Sequence, residues 1–272
     1  IGAVVLLQIV FSPVAFAQVL EDDDPNDRRP WGYSSRYQPL IQSLGDTPVT
    51  SLPIPILFGV EVSDLTKNFG DSRGGGTRTH EGLDILVPSG TPIASPTDAV
   101  VTRTGNGASS GLYVRTANPG GESFVYMHLS AIATGVDAGD AVKRGEIIGF
   151  VGNTGNASGG PAHLHLEIRK NGATDPYPRL TEVFTLPERM QGAAQALERS
   201  SDSSLAALLA SKFRATFLAA QAQGLSVPNA VLALLSAGAS TPTPSTTNTG
   251  SVSPYKATLA FNETNADIVQ LQ

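Results

Sequence analysis

The sequence predicts an antiparallel all-β domain with a small α-helical extension at its C-terminal side. Between Phe58 and about Leu180 the chain runs as short alternating or apolar segments, among them "GLYVRTANPGGESFVYMHLS" and "AHLHLEIRKNG". Gly, Pro, Asn and Asp return about every 8 to 12 residues between these segments, the spacing of short strands joined by tight turns. Helical spacing of apolar residues is absent from that region, whereas "LAALLASKFRATFLAAQAQG", Leu205 to Gly224, has it.

Taken in order, the first 17 residues, "IGAVVLLQIVFSPVAFA", are apolar, broken by Pro13, and end on Ala15-Phe16-Ala17. Small residues at the −3 and −1 positions and a short apolar stretch fit a secretory signal peptide with a truncated start; an uncleaved anchor is the alternative. Either reading puts the remainder outside the cytoplasmic membrane, and cleavage would leave no stable membrane insertion. Residues 18–57 carry the acidic run Glu21-Asp22-Asp23-Asp24, several prolines and no periodicity, and read as an extended linker. Residues 58–185 form the β domain, and 186–238 the extension, with a first helix in 205–224 and a second from Val227 to Leu235. The segment "ASTPTPSTTNTGSVSP" makes 239–272 a Ser/Thr/Pro linker and tail.

Composition narrows the chemistry. Among 272 residues there is no cysteine, which excludes thiolate zinc sites, iron–sulfur clusters and disulfide scaffolds. A net charge of −6 and a pI near 5.2 argue against nucleic acid as a partner. Half of that charge, a net −3, sits in residues 21–29 of the linker and says little about the β domain. A bound metal must take nitrogen and oxygen ligands.

The four histidines, His80, His128, His163 and His165, all fall in the β domain beside strand-like text. In "HEGLD", His80 and Asp84 are four residues apart, within reach of one metal on a bend that runs into a strand. In "AHLHLEI", alternation puts His163 and His165 on one strand face and Leu164, Leu166 and Ile168 on the other. Two histidines and one carboxylate leave a tetrahedral zinc with an open fourth position, the catalytic rather than the structural arrangement. An H-E-x-x-H helix is excluded, because position 84 is Asp.

Together, Asn68-Phe69-Gly70 with Arg73, His80-Glu81-Gly82-Leu83-Asp84, Tyr126-Met127-His128-Leu129, Gly139-Asp140 with Lys143-Arg144-Gly145, and Gly155 through His163-Leu164-His165 resemble the lysostaphin or LytM-type zinc metallopeptidases, family 23 of the metallopeptidases. The resemblance spans residues 58 to about 180. It implies an open, barrel-like antiparallel sheet with a groove, and a peptidoglycan endopeptidase that cuts cross-links or stem peptides in the bacterial cell envelope. It further implies one Zn2+ held by His80, Asp84 and His165, with His128 and His163 as catalytic residues that activate water and stabilise the tetrahedral intermediate. Ala162 between Pro161 and His163, and Leu166 where an aromatic is common, depart from the family pattern without removing a ligand.

Three further residues have more than one reading. Glu167 shares the face of His163 and His165 and either orients an imidazole or is a solvated strand residue. Tyr126 shares a face with His128 by alternation and either meets substrate or packs in the core. Arg73 pins the His80 loop, meets a stem-peptide carboxylate, or is a surface arginine. The competing function is a non-catalytic relative that binds the wall or activates other hydrolases, for which lost ligands would be expected. A biotinyl-type carrier, suggested by "VDAGDAVKRGEIIGFVGN", leaves the histidines unexplained. A monomer is expected.

Overall fold

The computed structural model describes residues 37–200 and 203–237. The signal peptide, the first half of the linker and the Ser/Thr/Pro tail lie outside the described residues. Helix α1 (Gln38–Gln42) precedes β1 (Leu52–Pro53), the hairpin β2 (Ser72–Arg73) and β3 (Arg78–Thr79), then β4 (Leu83–Leu86) and β5 (Pro92–Ala94). The long strands β6 (Ala99–Gly107), β7 (Gly111–Asn118) and β8 (Glu122–Leu129) form a meander. After them come β9 (Ala131–Ile132), β10 (Ala141–Val142), β11 (Ile147–Phe150), β12 (His163–Arg169), β13 (Ala173–Thr174) and β14 (Leu180–Glu182). Four helices close the described chain: α2 (Leu186–Arg199), α3 (Ser203–Lys212), α4 (Arg214–Ala222) and α5 (Asn229–Ala237).

The largest sheet runs in the order β10-β6-β7-β8-β12-β13, and β4 pairs with β12 on the edge it shares with β13. Alternation on β8 and β12 buries Phe124, Tyr126, Leu164, Leu166 and Ile168 on one face. That face meets Ile93, Ile147 and Ile148 of the small sheet β5-β11-β9 in one core. The other face carries the histidines.

Two expectations are corrected here. The fold is mixed α and β, with 32% helix and 30% strand, and its sheets are open and unclosed rather than an all-β, barrel-like layer. The helices are integral to the core. Phe58, at the start of the β domain, stacks on Phe213 at 4.7 Å between ring centroids and lies 5.6 Å from Phe217. Helix α2, missing from the sequence reading, starts at a capping box in which Thr185 and Glu188 satisfy each other's backbone N–H groups. Its interior Gly192 lets it approach so closely that a Cβ there would stand 2.2 Å from the Gly145 carbonyl. The stretch read as one helix over 205–224 breaks at Phe213 into α3 and α4.

The C-terminal end of the 18–57 segment packs against the domain. Strand β1 pairs in parallel with β14, Ile56 bridges to Ile93, and Leu52, Ile54, Ile56 and Leu57 are buried. Arg179 fastens this segment: its guanidinium makes a bidentate pair with the buried Glu122 at 2.7 and 2.9 Å and donates to the Val49 carbonyl. Two residues of strand and a proline are too little pattern to see in a sequence.

Candidate active site

Antiparallel pairing of β4 with β12 sets Asp84 directly opposite His165. Side chains at such a pair leave the sheet on the same face with Cβ atoms about 5 Å apart, so the carboxylate and the imidazole meet by register alone. His80 comes over them from the bend before β4. Asn68 holds that bend: its carbonyl accepts from His80 Nδ1 at 2.6 Å, and its side-chain amide exchanges hydrogen bonds with the Asp84 backbone at 3.1 and 3.3 Å. Gly82 makes room for the result. A Cβ there would stand 2.7 Å from His165 Nε2 and 2.5 Å from the Leu166 carbonyl.

His80 Nε2, Asp84 Oδ1 and His165 Nδ1 converge with separations of 2.8 to 3.0 Å. The hydrogen-bond partners determine what these atoms are. A carbonyl can accept only, so His80 carries its proton on Nδ1 and presents Nε2 as a lone pair. Likewise Glu167 Oε1, 3.2 Å from His165 Nε2, accepts the hydrogen bond from that nitrogen, so it is Nδ1 that the neutral ring presents as a lone pair. Two lone pairs and a carboxylate oxygen facing one another repel unless a positive charge sits among them. A tetrahedral zinc with bonds near 2.0–2.1 Å spaces its ligand atoms about 3.3 Å apart, close to what these side chains already present.

Electrostatics tell the same story. Burial pulls the His165 imidazole down, but hydrogen bonds to Asp84 and Glu167 outweigh it and hold the metal-free group at about 9. Burial likewise raises Asp84, and its close contacts with His165 and His80 overcome it and place the carboxyl far below its usual range. Without a cation, the cluster retains a proton in its place. Asp84 Oδ2 is engaged separately by Arg73 at 2.9 Å, which leaves Oδ1 to the centre.

The remaining two histidines flank the trio. His163 donates from Nδ1 to the Pro161 carbonyl at 3.0 Å, and its Nε2 lies 3.8 Å from Asp84 Oδ1. His128 donates from Nδ1 to the Thr154 carbonyl at 2.9 Å, and its ring centroid is 5.0 Å from that of His163 and 5.8 Å from that of His165. Burial first, then the neighbouring His163 and His165, push His128 down to about 4, so it is neutral at pH 7. All four imidazoles line a groove of about 560 Å3, together with Arg73, Arg78, Thr79, Ser109, Ser110 and Asn156.

Tyr126 is a correction. It is fully buried on the core face and cannot touch a groove ligand. Alternation fails because His128 has a left-handed backbone, φ 63°, which turns its ring onto the face of Met127. Glu167 and Arg73 both contact ligand-set residues. Sequence reasoning missed Thr154 and the site roles of Gly82 and Asn68, although the last two stand in the His-Glu-Gly-Leu-Asp and Asn-Phe-Gly signatures.

An open antiparallel sheet that gathers two imidazoles and one carboxylate in a groove, with an open side toward two further imidazoles, defines a mononuclear zinc-hydrolase centre. Residues 78–176 match the model of peptidase family M23. The DD-carboxypeptidase/endopeptidase Mpg of Neisseria meningitidis serogroup B is 37% identical over 134 residues, 48% of this chain and 30% of that protein. The L-Ala–D-Glu endopeptidase of Bacillus subtilis is 32% identical over 160 residues, 55% of this chain and 49% of its own length. The solved structure of LytU is 38% identical, with 42% of this chain and 81% of that one covered and a TM-score of 0.37. Residues 78–176 thus form a peptidase domain of the M23 type. The chain spans a third to a half of the two curated relatives. Among the described residues, no helix is long and apolar enough to cross a membrane.

Proposed function

We propose that the protein is a zinc-dependent endopeptidase that hydrolyses peptide bonds of bacterial peptidoglycan, acting outside the cytoplasmic membrane. The carrying observation is the convergence of His80 Nε2, Asp84 Oδ1 and His165 Nδ1, with the Asn68 carbonyl and the Glu167 carboxylate engaging the opposite ring nitrogen of each histidine. The M23-type domain, and relatives named as a DD-carboxypeptidase/endopeptidase and an L-Ala–D-Glu endopeptidase, support the substrate class.

When bound, zinc supplies Lewis acidity for the scissile carbonyl and for the attacking water. His80, Asp84 and His165 hold it, and Arg73 keeps Asp84 to one oxygen. His128 and His163 each spend their Nδ1 proton on a backbone carbonyl, which orients Nε2 as an acceptor. A neutral imidazole in that orientation takes a proton from water as it attacks and, as imidazolium, returns it to the leaving amine or steadies the developing oxyanion. The groove accepts an extended peptide across these groups.

The test uses His165→Ala and His128→Asn, the latter because Asn tolerates the left-handed backbone at position 128. His165→Ala is expected to lose both zinc and lysis of purified sacculi; His128→Asn is expected to keep stoichiometric zinc and lose lysis by at least about 100-fold. Lysis retained by either variant refutes the assignment, and loss of zinc from His128→Asn would make it a ligand instead.

A further inference from the structure

Beyond His165, the same alternation on β12 places Glu167 and Arg169 on the groove face. Glu167 Oε1 accepts from His165 Nε2 at 3.2 Å, and Glu167 Oε2 accepts from Arg169 Nε at 2.6 Å. A terminal nitrogen of Arg169 then reaches the carboxylate of Glu81, the residue that follows His80. The four groups form a closed link from one end of the candidate ligand set to the other, running around the outside of the centre.

We infer that Arg169 is a positioning residue of the metal centre, and this rests on the reading that His80, Asp84 and His165 hold zinc. It acts in two directions. Toward β12 it fixes the Glu167 carboxylate so that one oxygen remains aimed at His165 Nε2, which keeps the Nδ1 lone pair turned to Asp84 and His80. Toward the bend it ties Glu81, and with it His80, to the strand that bears His165.

Burial makes the first task necessary. The Glu167 side chain is 8% exposed and would be costly to keep ionised beside one imidazole alone, whereas the Arg169 guanidinium supplies a full positive charge at hydrogen-bond distance. Shape makes the second possible. A guanidinium is planar with donors on Nε and on both terminal nitrogens, so it can face two carboxylates in different directions; an ammonium offers a point charge without that fixed fork. Glu81 is 53% exposed, so its share is the smaller one, since solvent screens it.

The test is made on the full chain with Arg169→Met, Arg169→Lys, Glu81→Gln, Glu167→Gln and the double variant Arg169→Met/Glu167→Gln. Zinc affinity is measured by competition with a chromophoric chelator at fixed pH, and folding of the zinc-free protein by its denaturant midpoint. Arg169→Met and Glu167→Gln are each expected to weaken zinc binding by about 10- to 100-fold. The double variant should be no weaker than the poorer single, because both cut the same link. Arg169→Lys should recover part of the loss and Glu81→Gln should cost less than about 5-fold. In the zinc-loaded protein, the hydrogen-bonded His165 Nε2–H proton should give a downfield NMR resonance that is lost in Arg169→Met.

Wild-type zinc affinity in Arg169→Met, additive losses in the double variant, or an unchanged Nε2–H resonance would each overturn the inference. Should Arg169→Met fail to fold, Arg169→Lys and Glu167→Gln decide it: wild-type affinity in both overturns it. Zinc retained by His165→Ala would instead sink the underlying ligand reading.

Discussion

Replacing Gly82 by Ala is the sharpest probe of how the centre is packed. The added Cβ would sit 2.7 Å from His165 Nε2, 2.8 Å from His165 Cε1 and 2.5 Å from the Leu166 carbonyl oxygen, where ordinary contact begins at 3.4 Å. The imidazole cannot yield cheaply, since its Nε2 is bound to Glu167 and its Nδ1 faces Asp84. Relief requires the ring and the strand to retreat by about 0.7 Å, several times the roughly 0.2 Å latitude of a metal–ligand bond. The Leu166 carbonyl belongs to the β12 strand that pairs with β4, so its retreat also loosens the register that sets His165 opposite Asp84. Overpacking of this kind costs about 1–3 kcal/mol of stability. The expected outcome is a folded protein with a lower denaturant midpoint and zinc affinity at least about 10-fold weaker. Chelator competition and denaturant unfolding on the same preparation check both. Wild-type zinc affinity in Gly82→Ala would refute the claim that this close approach holds His165.

Because His165 is held near 9 in the metal-free chain and must lose its Nδ1 proton to bind, apparent zinc affinity should rise about tenfold per pH unit up to about 9 and then level off. The sign for the zinc-free fold is opposite: this raised pKa stabilises it fully below the unfolded value near 6.5 and ceases to do so as pH rises through 9, so calorimetric zinc titrations and zinc-free unfolding should move in opposite directions between pH 7 and 9. Phe217→Ala, which removes a fully buried ring beside Phe58, should cost about 3–5 kcal/mol in denaturant unfolding; a loss under about 1 kcal/mol would mean the helices do not share the core.

The long strands were readable because each is a short apolar or alternating run bounded by turn residues. Strand β1 was not, since Leu52 and Pro53 find their partner at Leu180, a pairing with no local trace. Helix α2 left a readable signal in Thr185-Leu186-Pro187-Glu188, a capping box with proline in the first turn, but the buried face behind it is built largely from Gly192, Ala193 and Ala196, too small to form an apolar stripe. For the site, "HEGLD" and "HLH" could be picked out by their spacing and by the resemblance they carry, whereas the register that sets Asp84 opposite His165 has no local trace. The orientation of His128 was beyond pattern reading. A backbone with φ 63° inside a strand overrides alternation, and Tyr126 was misplaced for that reason.

The Arg179 clamp bears on how this catalytic unit could be moved between proteins. A graft cut to residues 78–176 would discard Arg179, and the buried Glu122 carboxylate would lose its bidentate partner, a defect of about 3–5 kcal/mol. The same cut would strip Ile56 from its bridge to Ile93 and expose an edge of the small sheet. The transplantable piece must therefore begin before Val49 and run through α2, so the stretch that carries the chemistry is shorter than the stretch that carries the fold.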